Sequence, residues 1–123
     1  MKYQLFYQQH MIATVEEINA DFPSFFGHYR LEPAVDAPEL AHVRAYIDFS
    51  VRVSPLRDQG RFDDPAMLQE EESFTDLIES PDWSLVETNT QQRTPIIIPI
   101  FFTDGVGWRL NPHYPDIKTH ETA

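Results

Sequence analysis

Five histidines and twenty carboxylates are the side chains in this 123-residue sequence best suited to proton transfer or metal binding, because cysteine is absent. His10, His28, His42, His113 and His120 are scattered, no two stand at the i, i+4 spacing of a helical zinc pair, and no HExxH motif occurs. A metal site would have to be assembled in three dimensions, for example from His28, His42 and an acid. A structural histidine is the commoner use of such isolated positions. Glu16-Glu17 could serve as a general acid or base on a sheet face, and Asp63-Asp64 with Glu70-Glu71-Glu72 could offer oxygen ligands to a hard cation. Neither set has the D-x-D-x-D-G order of an EF-hand, and Gly60 precedes the acids instead of falling among them, so a solvated helix face with capping acids accounts for them. Ser24 lies in no G-x-S-x-G elbow, and four scattered glycines cannot build a phosphate loop. No catalytic residue, no metal set and no cofactor is assigned on this reading.

Charge is the stronger signal. The net charge is −11, and it is massed between Asp58 and Glu87, where ten acids face the single base Arg61. The flanks are nearly balanced. Direct nucleic-acid binding is not expected, since it needs lysine and arginine to displace counterions. Anionic membrane surfaces are disfavoured for the same reason. A helix is expected to start at Asp64-Pro65, with aspartate as cap and proline at the first helical position, and to end at Ser80-Pro81. On it Glu72, Asp76 and Glu79 would form one stripe opposite Phe74 and Ile78. The preferred expectation is therefore a non-catalytic acidic protein-binding module, of inhibitor or immunity type, that recognises a basic partner through residues 58–87. The competing expectation is a small-molecule-binding protein or enzyme with an aromatic pocket between helix and sheet. Its walls would be Phe25, Phe26, Trp83 and Trp108, with His28 and Arg109 as polar groups.

These residues need a scaffold. Tyr3 to Tyr7 and Met11 to Ile18 read as strands joined at Gln8-Gln9-His10, and a third runs from Phe25 or Phe26 to Leu31. A helix is expected from Ala37 to Val51, capped by Asp36 with Glu39 three residues on, its stripe formed by Leu40, Val43, Ile47 and Val51, and stopped by Pro55. After the acidic helix, strands are expected at Trp83–Thr88, Thr94–Thr103 and Val106–Leu110, the last two joined at Asp104-Gly105. Pro95 and Pro99 deny donors to the middle one, which argues for a sheet edge or a bulge. The order βββααβββ implies an α+β fold, an antiparallel sheet of five to six strands with two helices on one face.

The segment Asp21-Phe22-Pro23-Ser24-Phe25-Phe26-Gly27, the amphipathic helix after it, and the late Asp104-Gly105 with Trp108-Arg109 resemble a family of small bacterial proteins. That family is uncharacterised and shares a D-F-P-x-x-x-G turn after an opening hairpin. The resemblance implies the fold and no activity. One domain over residues 1–110 and a tail over 111–123 are expected. With no cysteine and no apolar export segment near the start, a cytoplasmic location is expected, with no membrane association. Ile96 to Phe102 is apolar on both faces, so a homodimer through this strand would cover what the helices leave open.

Overall fold

The computed structural model describes residues 1–21 and 24–111. Among these, seven strands make one antiparallel sheet: β1 (Lys2–Tyr7), β2 (His10–Asp21), β3 (Ser24–Leu31), β4 (Trp83–Glu87), β5 (Arg93–Pro95), β6 (Ile100–Phe101) and β7 (Val106–Arg109). Their spatial order is β5-β4-β1-β2-β3-β7-β6. Between β3 and β4 lie one long helix, α1 (Ala41–Asp58), and two short ones, α2 (Pro65–Glu72) and α3 (Thr75–Ile78). The α+β class and the antiparallel sheet are as the sequence predicts, but the sheet has more strands than the expected five to six.

The extra strand comes from the prolines. The expected strand Thr94–Thr103 is split, so that β5 pairs with β4 at one edge and β6 pairs with β7 at the other. Between them Ile96 donates to the Trp83 carbonyl at 3.0 Å and bridges Leu110, Ile97 donates to the Arg109 carbonyl at 2.9 Å, and Asn111 donates to the Pro95 carbonyl at 3.2 Å. One short stretch of chain thus touches both edges and curls the sheet towards closure. Tyr3 on β1 and Trp108 on β7 meet edge to face, 6.1 Å apart, although two strands separate them in the ladder.

α1 departs from expectation at both ends. Asp36 does not cap it; 3-10 turns at Pro33–Asp36 and Pro38–Leu40 precede it, and the Asp36 carboxylate instead takes a bond from Arg44 at 3.0 Å. Pro55 does not stop it either. A proline inside a helix orphans the carbonyl four residues back, and here Ser54 donates its hydroxyl to that Val51 carbonyl at 2.8 Å. The helix ends one turn later. Gly60 takes φ +71°, Gly60 donates to the Arg57 carbonyl and Arg61 to the Leu56 carbonyl, both at 2.9 Å, the paired bonds of a glycine-terminated helix.

The expected helix 64–79 starts as predicted, with the Asp64 side chain accepting from the Met67 amide at 3.0 Å, but it breaks at Ser73-Phe74. Ser73 and Thr75 bond back to the carbonyls of Glu70 and Glu72 at 2.7 and 2.8 Å, a local alternative to continued helix. The break turns Phe74 inward, onto Phe49 at 5.2 Å and Tyr46 at 5.7 Å.

The core is aromatic where α1 meets the sheet. Tyr46 lies 6.4 Å from both Trp83 and Phe101, and donates to the Pro99 carbonyl at 2.7 Å. Ser50, fully buried, both donates to the Phe101 carbonyl at 2.9 Å and accepts from the Phe101 amide at 2.8 Å. Helix and edge strand are joined by bonds hidden from water. Asn111 is buried; the remainder of the expected tail, with His113, Tyr114 and His120, lies outside the described residues. No helix among the described residues is long and apolar enough to cross a membrane.

Candidate functional site

A groove of about 530 Å³ lies between the end of α1 and the β6–β7 edge. Phe25, Trp108 and Arg109 of the predicted pocket line it. β3 pairs with β7 so that Phe25 stands opposite Trp108, and their rings stack at 5.9 Å with planes 13° apart. The other walls are Ile97, Ile98, Ile100 and Phe102 from the segment between the sheet edges, and Phe62 from the loop after α1. Phe62 is 61% exposed and Ile97 37%, an unusual outlay of apolar surface on so acidic a chain.

Three charged side chains border the groove, together with the Ser24 hydroxyl. Arg57, only 12% exposed, lies over the Phe49 ring and 3.7 Å from Glu71, so its charge is already answered. Asp58 follows it on α1. Arg109 is exposed, and no carboxylate lies within 4.0 Å of it among the described residues. A guanidinium of this kind beside apolar walls can hold a carboxylate, sulfonate or phosphate while the walls exclude water from the rest of a ligand.

The other expected pocket residues go elsewhere. Trp83 is completely buried and spends its indole N–H on the Leu77 carbonyl at 3.0 Å, so it belongs to the core. Phe26 packs on Phe102 at 6.0 Å and lines a separate cleft of about 370 Å³ with Ser54, Asp58, Thr103 and Asp104. His28 points to the opposite side of the sheet, its Nδ1 3.2 Å from the Asp104 carbonyl. Gly27, between Phe26 and His28, has a structural reason to be glycine: a Cβ there would overlap the Glu16 carbonyl of the neighbouring strand.

The acidic segment is more balanced in space than along the chain. Arg52 of α1 holds Glu70 through two hydrogen bonds, and Arg57 faces Glu71. Arg61 stands 3.8 Å from Asp64, and His42 bonds Asp76 at 2.9 Å while stacking on Phe74. Hydrogen bonding from Arg52 lowers the Glu70 pKa, and hydrogen bonding from His42 lowers that of Asp76. The helix break puts Glu72 on α2, Asp76 on α3 and Glu79 just after it, so the expected stripe does not run along one helix. All three are exposed, and Glu72 and Glu79 have no cation within 4.0 Å among the described residues.

Burial pushes the phenols of Tyr3 and Tyr29 up, and that of Tyr46 to about 12, so all three stay protonated at neutral pH. His28 and His42 make separate contacts, and among the described residues no three His, Asp or Glu side chains gather as a metal-binding group. Sequence reasoning missed Phe62, Ile98 and the groove role of Ile97, Ile100 and Phe102. The signal was the two-faced apolar run Ile96–Phe102: the fold buries Ile96, Pro99 and Phe101 away from the groove and sets Ile97, Ile98, Ile100 and Phe102 along it. Comparison with protein-family models, with curated proteins and with solved structures gave no significant match.

Proposed function

We propose that this domain is a small-molecule-binding protein whose groove takes an apolar or aromatic ligand carrying one anionic group. The observation that carries the reading is the pairing of about 530 Å³ of apolar-walled space with Arg109, a cation without a carboxylate partner among the described residues. The volume suits a ligand of drug-like or fatty-acid size. Stacked Phe25 and Trp108 form a flat wall for a ring or chain, and Arg109 fixes the polar end. The reading requires no catalytic group.

Anilinonaphthalene sulfonate, an aromatic anion that fluoresces in apolar surroundings, is a direct probe. The folded protein is expected to bind it saturably at one site. Arg109→Gln should weaken binding on the order of tenfold, the size of one lost charge-assisted hydrogen bond, and Ile97→Glu should abolish it by placing like charge in the groove. Fluorescence that never saturates, or that both variants leave unchanged while they unfold cooperatively like the parent, contradicts the reading.

A second reading, recognition of a basic protein through residues 58–87, has one specific support: the exposed Glu72 and Glu79 lack cationic partners among the described residues. It requires association with a basic protein that weakens as salt rises and weakens again on joint replacement of Glu72, Asp76 and Glu79 by their amides. Retention indifferent to both removes it.

A further inference from the structure

The sheet has a second surface, remote from the groove, on the outward side of its three central strands. β1, β2 and β3 are in register there, so that Lys2, Glu16 and His28 form one cross-strand row and Gln4, Thr14 and Arg30 the next. By the two-residue alternation of strands all six side chains share the face opposite Leu5, Val15 and Tyr29, which belong to or pack on the core. Thr88 extends the first row, since its amide bonds the Lys2 carbonyl at 3.0 Å. Together they line a depression of about 420 Å³. Its surroundings are less open: the Arg93 guanidinium lies 4.8 Å over the Phe6 ring, Val86 is buried, and Phe26 is covered by Phe102.

Charge sets this surface apart from the rest of the chain. Acids outnumber lysine and arginine by 20 to 9, and Arg44, Arg52, Arg57 and Arg61 each have a carboxylate within 4.0 Å. Arg30 has none among the described residues. Glu16, the one acid among the described residues that line the depression, is within diagonal reach of Arg30 by register but stands instead 4.0 Å from Lys2. The Nδ1 of His28 is engaged by the Asp104 carbonyl, which fixes the ring and leaves its Nε2 without a partner among the described residues. Arg30, Lys2 and His28 supply cationic or donor groups, and Gln4, Thr14 and Thr88 supply neutral donors and acceptors.

We propose that this face is a second binding site, for a small hydroxyl-rich molecule bearing an oxyanion, with Arg30 as the anchor. The guanidinium fork matches the paired oxygens of a phosphate or carboxylate, and the amide and hydroxyls match the ligand's hydroxyl groups. The site does not depend on the groove, and its ligand differs in kind: polar throughout where the groove's is apolar.

Inorganic phosphate and acetate, titrated separately into the full-length protein at constant ionic strength and followed by amide and arginine side-chain NMR shifts, test the proposal and distinguish the two oxyanions. Saturable shifts confined to residues 2–4, 14–16 and 28–30 are expected for at least one of them. Arg30→Gln should weaken binding on the order of tenfold, Arg109→Gln should leave it unchanged, and Glu16→Gln should strengthen it by about two- to threefold by removing the one repelling charge. Arg30 and Glu16 are exposed, so both variants should keep the parent's fold. Shifts that grow linearly without saturating with both anions, saturable shifts centred elsewhere, or affinity unaltered in Arg30→Gln overturn it.

Discussion

In residues 58–87, four of ten carboxylates are matched by cations among the described residues: Asp64 by Arg61, Glu70 by Arg52, Glu71 by Arg57 and Asp76 by His42. In residues 96–109 the surplus is apolar, and the fold answers only half of it. Ile96, Ile98 and Phe101 are buried, whereas Ile97, Ile100 and Phe102 face an open groove. Excess charge is relieved at the surface by side chains that α1 happens to bring near. Excess apolar surface is relieved only by covering it, and the described part of the chain leaves some of it uncovered.

The two regions also differ in what fastens them, and mutation should expose that difference. Trp83→Ala removes the completely buried ring under α1 and should cost about 3–5 kcal/mol in urea unfolding; a cost below 1 kcal/mol would mean the core is not built around it. Ser50→Ala strands both the amide and the carbonyl of Phe101 in the interior and should cost about 1–3 kcal/mol, loosening the groove's edge with it. Against these, Arg52→Gln, which breaks an exposed pair with Glu70, should cost no more than about 1 kcal/mol. An Arg52 effect as large as that of Ser50 would break the contrast between buried and exposed fastening.

Acid titration sharpens the same point. The lowered folded-state pKa values of Glu70 and Asp76 mean that the unfolded chain binds protons at these groups first as pH falls. The stability the two groups contribute is therefore complete above their ordinary values near 4 and is lost as pH falls through their lowered folded-state values. Asp76→Asn should flatten that acid-side decline slightly, as seen in unfolding midpoints measured from pH 6 downwards. Smallest of all, Glu72→Gln and Glu79→Gln should change stability by less than about 0.5 kcal/mol, since neither has a cation within 4.0 Å among the described residues.

Much of the scaffold was legible in the sequence because alternation and helical spacing are local. The strands β1, β2, β3, β4 and β7, the buried stripe of Leu40, Val43 and Ile47, and the Asp64-Pro65 helix start all follow from neighbours a few residues apart. The failures were places where a distant or unanticipated partner decides. Pro55 is tolerated because Ser54 satisfies the orphaned carbonyl, and Phe74 turns inward because the rings of Tyr46 and Phe49 await it. The split of 94–103 reflects the two prolines, whose effect was foreseen, and a closing sheet, which was not. Three of the six expected pocket residues come together for one reason: Phe25, Trp108 and Arg109 share a paired stretch of β3 and β7, whereas Trp83, Phe26 and His28 point into the core, another cleft and the other face.

The emission of the two tryptophans gives the most direct test of the groove. Trp108 lines it and Trp83 is sealed in the core, so decanoate, an aliphatic carboxylate that does not absorb the emitted light, should alter Trp108 emission saturably. In Trp108→Phe that response should vanish while Trp83 still reports a folded protein. An unresponsive parent, or a variant that responds as the parent does, would contradict a ligand seated between Trp108 and Arg109.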